Sequence, residues 1–377
     1  MEIYLDNAAT TRVCPEAAEL ACRVMTEDYG NPGSTHAKGR AARAILDKAR
    51  KQVAAPLGCS EKEIVFTSGG TESDNWALRG AARAMQRRGR HIISSAAEHD
   101  AVRQTLSDLS RQGFEITTLS PDASGAVSAE AVAAALREDT ILVSLMLVNN
   151  ETGAVTDIAA VARALRERGS AALLHTDGVQ AYLKIPFTAR ELGADLISLS
   201  GHKIHAPKGI GALYVRSGLR LPPMITGGGQ ENGLRSGTEP LPQIAAFGEA
   251  ARLGRLALPE AEKRMAELRQ RCIDTLLPAI PDLQILGGGA PHILSLSLPG
   301  YRSEVVMNLL ESQGIYVSKS SACKRGRRSH VLESMGVPDK VIDGAIRVSF
   351  SRYTAREEVD LFAQALIRAR KELRPSL

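Results

Sequence analysis

Short apolar runs rich in β-branched side chains recur along the first part of this chain, at 64–67, 91–94, 115–119, 141–148, 172–175 and 195–199, with helical periodicity between them. Runs of this length bounded by turn formers read as strands. Strands that alternate with helices are joined by crossovers, so the pattern predicts an α/β fold: a mostly parallel sheet wrapped by helices. A further run, 211–215, follows a Gly-rich turn and is expected to close the sheet as an antiparallel edge.

After about residue 240 the pattern changes. A long charged helical stretch, 244–277, precedes apolar runs at 283–286, 293–298, 315–318 and 346–350, which reads as a separate α+β unit. With 377 residues, 44% of them hydrophobic, the chain can bury one large core and a smaller one. The expected division is a large domain over 15–245 and a small domain formed by 1–14 with 246–377.

The 47 basic and 42 acidic side chains give a formal charge of +5, without the aromatic-interleaved basic stripe of a nucleic-acid binder. One local basic run, Lys324, Arg325, Arg327 and Arg328, stands out, and on its own reads as a solvated loop face. The five cysteines are odd in number and form no C-x-x-C pair, which argues against a disulfide framework or a zinc site. The start Met-Glu-Ile-Tyr-Leu-Asp has no basic leader, and apolar runs such as 141–148 are too short to span a bilayer. A soluble, cytoplasmic protein is expected, with no membrane and no nucleic-acid partner.

In open parallel sheets ligands bind beyond the carboxyl ends of the strands, so the residues following each run carry the functional information. The first run leads into Ser68-Gly69-Gly70-Thr71-Glu72, a turn whose free N–H groups and helix dipole suit a phosphate, although such a turn is as often only a helix start. The run at 141–148 ends in Asn149-Asn150-Glu151. The run at 172–175 ends in Thr176-Asp177-Gly178-Val179-Gln180, where Asp177 fits either a helix N-cap or a partner for a protonated ring nitrogen. The next ends in Ser200-Gly201-His202-Lys203. Lysine suits Schiff-base chemistry when burial or nearby cations lower its pKa. A lone lysine would read as a surface residue. A phosphate turn, a strand-end Asp and a strand-end Lys directed to one crevice describe pyridoxal 5'-phosphate.

These residues resemble the cysteine desulfurases, pyridoxal-phosphate enzymes of fold type I within the class V aminotransferase superfamily, and the resemblance runs nearly end to end. It is carried by Leu5 to Thr11, Gly30-Asn31-Pro32, Phe66 to Asn75, Glu98-His99, Asn149 to Gly153, His175 to Gln180, Ser200 to Lys203, Arg235 to Thr238, and Ser321-Ala322-Cys323. The resemblance implies that Lys203 carries the cofactor, Asp177 pairs with the ring nitrogen, Asn150 and Gln180 bond the ring hydroxyl, and His99 stacks on the ring. It implies that Gly70, Thr71, Ser200 and His202 hold the phosphate, with Thr238 reaching over from the second subunit of a homodimer. Asn31 and Arg347 would receive the substrate, Arg347 by a bidentate grip on its carboxylate. A strand-end salt bridge is the plainer reading of Arg347.

The implied reaction converts L-cysteine to L-alanine, with Lys203 as the base and Cys323 taking the sulfur as a persulfide for a protein acceptor, an iron-sulfur scaffold or a tRNA-thiolating enzyme. An isolated cysteine reads as a small buried hydrophobe, but Ser320, Ser321 and the basic run around Cys323 favour an exposed thiolate of lowered pKa. The Ser-Ala-Cys form resembles the nitrogen-fixation and cluster-assembly branch, yet the segment after Cys323 is shorter and more basic than usual there, and Asn232 stands where an Arg is common. A selenocysteine lyase or small-amino-acid aminotransferase of the same fold needs Lys203 and Asp177 but not Cys323. A non-catalytic member is countered by the intact Lys203, and no G-x-G-x-x-G follows a strand, so a dinucleotide enzyme is not indicated.

Overall fold

The computed structural model describes residues 2–319 and 328–375. Among the described residues thirteen strands form three sheets: β1 (Ile3–Tyr4), β2 (Ile64–Thr67), β3 (His91–Ser95), β4 (Glu115–Leu119), β5 (Thr140–Ser144), β6 (Leu173–Asp177), β7 (Leu196–Ser200), β8 (Gly211–Val215), β9 (Gln284–Ile285), β10 (Ile293–Ser297), β11 (Ile315–Tyr316), β12 (Ser318–Lys319) and β13 (Ala345–Ser349). The large sheet has the order β2-β8-β7-β6-β5-β3-β4, and β7 through β4 run parallel. This is the expected wrapped sheet: β2, β3, β5, β6, β7 and β8 are buried along their whole length, which only helices on both faces can accomplish.

Two details depart from the sequence expectation. The strand proper at 140–144 is shorter than the apolar run 141–148, although the chain stays extended beside β6, with Leu145 N–H donating to the His175 carbonyl and Leu147 N–H to that of Asp177. The run 211–215 is antiparallel as expected but is no edge. β8 lies between β7 and β2, antiparallel to both, and β2 is the border strand. The outer backbone of β2 is satisfied by side chains instead: Glu231 accepts from Phe66 N–H at 2.9 Å, and Arg50 donates to the Ile64 carbonyl at 2.7 Å while pairing with Glu231 at 2.6 Å. Next to Glu231, Asn232 adopts φ 57°, ψ 32°, a left-handed conformation that Asn tolerates better than most residues, which gives the substitution noted above a local reason.

A second core is built on the sheet β12-β13-β10-β9 and the two-stranded β1-β11. The helix Leu241–Ala279 serves both cores, contributing Ile244, Phe247 and Ala251 to the first and Met265, Leu268 and Leu276 to the second. The N-terminal segment also connects them. Leu5 N–H donates to the Tyr316 carbonyl and Leu5 C=O accepts from Ser349 N–H, while Thr11 N–H reaches the His202 carbonyl at the edge of the large sheet. No helix among the described residues is long and apolar enough to cross a membrane.

Candidate active site

The carboxyl ends of β2, β5, β6 and β7 deliver their polar residues to one edge. Gly211 opens β8 in register with both Thr67 and Ser200, and a Cβ there would lie 2.5 Å from the Leu199 carbonyl oxygen and 2.7 Å from Gly69 Cα. Only glycine permits that approach, which sets the turn 68–71 against the end of β7. The helix Gly70–Met85 begins at this turn, and a Cβ on Gly70 would lie 3.6 Å from that of Ser200. The N-terminal amides of a sixteen-residue helix, the Ser200 hydroxyl and the nearby His202 ring therefore form an anion cradle. Burial, with Lys203 and Lys208 nearby, lowers the His202 pKa to about 4, so it serves as a neutral imidazole; its Nδ1 lies 3.2 Å from Thr10 Oγ1.

Asp177 ends β6 and is buried. It caps no helix: Oδ1 accepts the N–H of Val179 at 2.9 Å inside a turn. Burial raises its pKa, against the lowering influence of His99, the Val179 amide and Lys203. Two more buried carboxyls, Asp74 and Glu98, also feel Asp177, and burial holds both well above the usual range. Asp74 Oδ1 and Glu98 Oε2 have no hydrogen-bond partner among the described residues. His175, fixed between Ser144 (2.8 Å) and Ser198 (3.0 Å), is pushed down to about 3 by burial and brings no positive charge. Asp177 thus sits beside two further buried carboxyls, with His99, the Val179 amide and Lys203 acting to favour its charge, an environment that a protonated ring nitrogen would complement.

On the other side, Lys203 donates to the carbonyls of Ala8 (2.7 Å) and Ala9 (2.8 Å), and Gln180 Nε2 donates to the same Ala8 carbonyl at 2.8 Å. The N-terminal segment therefore aligns both side chains. His99 is half-buried as the N-cap of the helix Asp100–Arg111, with Nδ1 accepting from Ala101 N–H at 3.1 Å, which leaves the ring proton on Nε2. An anion cradle, a buried carboxylate in need of a heterocyclic cation and an amine between them fit pyridoxal phosphate.

Sequence profile comparison matches residues 3–362 to the family described as Aminotransferase class-V. The chain belongs to the class-V aminotransferase family. Among curated relatives, this class-V chain is 41% identical over 363 residues to "Cysteine desulfurase IscS" of Methanosarcina thermophila, covering 95% of this chain and 89% of that protein. Among solved structures it superposes on a "NifS-like protein" with TM-score 0.93 and 40% identity, covering 99% and 100% of the two chains. It also superposes on "SspA in complex with cysteine", with TM-score 0.82 and 32% identity over 94% and 100% of the chains.

Several residues of the class-V chain stand apart from this cluster. Arg347 is buried, donates to the Asn150 carbonyl at 2.7 Å and pairs with Asp6 at 2.9 Å, so the plainer salt bridge is present; its Nε has no partner among the described residues and remains available to a carboxylate. The Asn150 side chain is partly exposed at the same place. Asn31 is exposed and accepts the N–H of Gly33 at 2.8 Å. Thr238 is exposed ahead of the long helix. Cys323 lies outside the described residues. Arg328, counted among the cations near it, is engaged by Asp339 and Asp343 (2.8 Å to the latter). Sequence reasoning missed Asp74, Glu98 and Glu151 as site residues although all three lie inside quoted motifs, because burial was the informative property and no motif reports it.

Proposed function

We propose that this chain is a pyridoxal-phosphate-dependent cysteine desulfurase. The observation that carries the reading is the convergence of Lys203, Asp177 and the 68–71 turn on one sheet edge in a chain about 40% identical to desulfurases over nearly its full length.

The bound cofactor supplies an electron sink for the substrate carbanion. With the cofactor bound, Asp177 would hold the proton on the ring nitrogen, Gln180 and Asn150 would bond the ring hydroxyl, and His99 would cover the ring face. Gly70, Thr71, Ser200 and His202 would hold the phosphate, with Thr238 of a second copy completing it in a homodimer. Arg347 receives the cysteine carboxylate through the N–H groups that Asp6 and Asn150 leave open, and Asn31 borders that entry. Lys203 takes the Cα proton. The Cys323 thiolate attacks the substrate sulfur: a sulfur–sulfur bond forms, the carbon–sulfur bond breaks with its electron pair staying on carbon, and a proton delivered to that carbon together with the one Lys203 returns to Cα gives alanine. The sulfur leaves Cys323 for a protein acceptor in the cytoplasm, an iron-sulfur scaffold or a tRNA-thiolating enzyme.

Two substitutions test this. Cys323→Ser should abolish sulfide release from L-cysteine while the cofactor absorbance persists, and Lys203→Ala should remove that absorbance band. Sulfide and alanine formed by Cys323→Ser at the wild-type rate would overturn the desulfurase reading.

A further inference from the structure

Eight residues separate Lys319 from Arg328, and Cys323 is among them. The chain that follows is held by three separate contacts. Arg328 pairs with Asp339 and Asp343, Ser329 Oγ donates to Glu151 Oε2, and His330 Nε2 bonds the Glu98 carbonyl at 3.1 Å. The first anchors the segment to its own unit. The other two reach the large-sheet edge, 178 and 232 residues away in sequence.

Glu151 and Ser329 are both buried, at 4% and 2% exposure. Ser329 also accepts Leu332 N–H at 3.1 Å as the N-cap of a short helix, a task it could perform with no carboxyl beside it. A buried carboxyl is costly unless it does something the apolar alternative cannot. Glu151 sits in a loop fixed from both sides: Asn149 Oδ1 accepts from the N–H groups of Glu151 and Thr152 at 2.9 Å each, and Arg347 donates to the Asn150 carbonyl. The charged groups facing it are Arg347, Asp100 and Arg103. Among the described residues, Ser329 is the one whose hydroxyl bonds it.

We propose that Glu151 and Ser329 are positioning residues for sulfur transfer: their hydrogen bond ties the chain six residues beyond Cys323 to the loop that carries Asn150 and receives Arg347. The inference rests on the reading of Cys323 as nucleophile. It separates two functions along one loop, since Asn150 serves the cofactor and Glu151 the approach of the thiol.

The test uses the holoenzyme and two signals, the cofactor absorbance change on adding L-cysteine and the sulfur carried by Cys323, read by mass spectrometry after a quenched single turnover. Glu151→Ala and Ser329→Ala should slow sulfur transfer about tenfold or more, the scale of a misplaced reacting group, with the absorbance change keeping its amplitude and its half-saturating cysteine concentration. Glu151→Gln, which still accepts from Ser329, should restore most of the rate. Wild-type transfer in both alanine variants would overturn the proposal, as would a parallel loss of the absorbance response, which would assign the pair to the cofactor site. Ser329→Ala decides if Glu151→Ala fails to fold. An active Cys323→Ser would reject the nucleophile itself, whereas an inactive Cys323→Ser beside fully active alanine variants would reject only the positioning role.

Discussion

Glu151 shows how much of this site is set by burial. Its pKa is raised to about 7, first by desolvation, against the lowering influence of Ser329 and Arg347. The unfolded carboxyl releases its proton near 4.5 and the folded one near 7, so the folded state binds more protons between those values and stability falls as pH rises through the window. At 1.36 kcal/mol per pKa unit the loss is on the order of 3 kcal/mol. Glu151→Gln should therefore show a smaller fall in Tm than the wild type between about pH 4.5 and about pH 7; identical falls would mean that Glu151 does not titrate there. At this scale the sequence revealed the residues whose roles follow from position along the chain. Asp177, Ser200 and Lys203 directly follow or end strands and could be placed before any coordinates. Asp74, Glu98 and His175 could not, because what distinguishes them is enclosure by residues distant in sequence. Asn31 stands in a matched motif, and its side chain makes a local bond to Gly33.

At the scale of elements, the strands of the large sheet lie close to the apolar runs that announced them, because a wholly buried strand needs an uninterrupted apolar stretch. The position of β8 was not legible. Ala212 pairs with Phe66 of β2, 146 residues upstream, and with Leu199 of β7, thirteen residues upstream, and no local pattern specifies such pairings. Gly211, read only as the start of the run 211–215, is where the consequence concentrates. Gly211→Ala would place a methyl 2.5 Å from the Leu199 carbonyl oxygen and 2.7 Å from Gly69 Cα, both backbone atoms that cannot swing aside. The expected cost is about 1–3 kcal/mol, read by urea denaturation, together with weaker cofactor retention because the 68–71 turn is displaced. Unaltered retention would show that the turn tolerates separation from Ser200.

For the whole molecule, the two cores share the long helix and the N-terminal segment, and the second was the less evident from sequence. Nothing in Leu5 to Thr11 reads as a strand that spans from one core to the other. Yet Leu5 is fully buried in the smaller core, and Ala8 and Ala9 carry the carbonyls that receive Gln180 and Lys203. Removing residues 2–9 should leave most of the far-ultraviolet circular dichroism, since the large sheet does not pair with them, and should abolish cofactor retention measured by absorbance after desalting. Full retention would show that Lys203 is aligned without its carbonyl partners.

The same segment imposes an order on synthesis. Residues 5–8 take their place only beside Ser349, whose hydroxyl accepts the N–H of Ala8 at 2.8 Å and whose own N–H reaches Leu5. Residues 5–8 therefore settle only after β13 has been made, although the large sheet can assemble well before then. Throughout that interval the lysine after β7 lacks the Ala8 and Ala9 carbonyls that receive it in the folded chain.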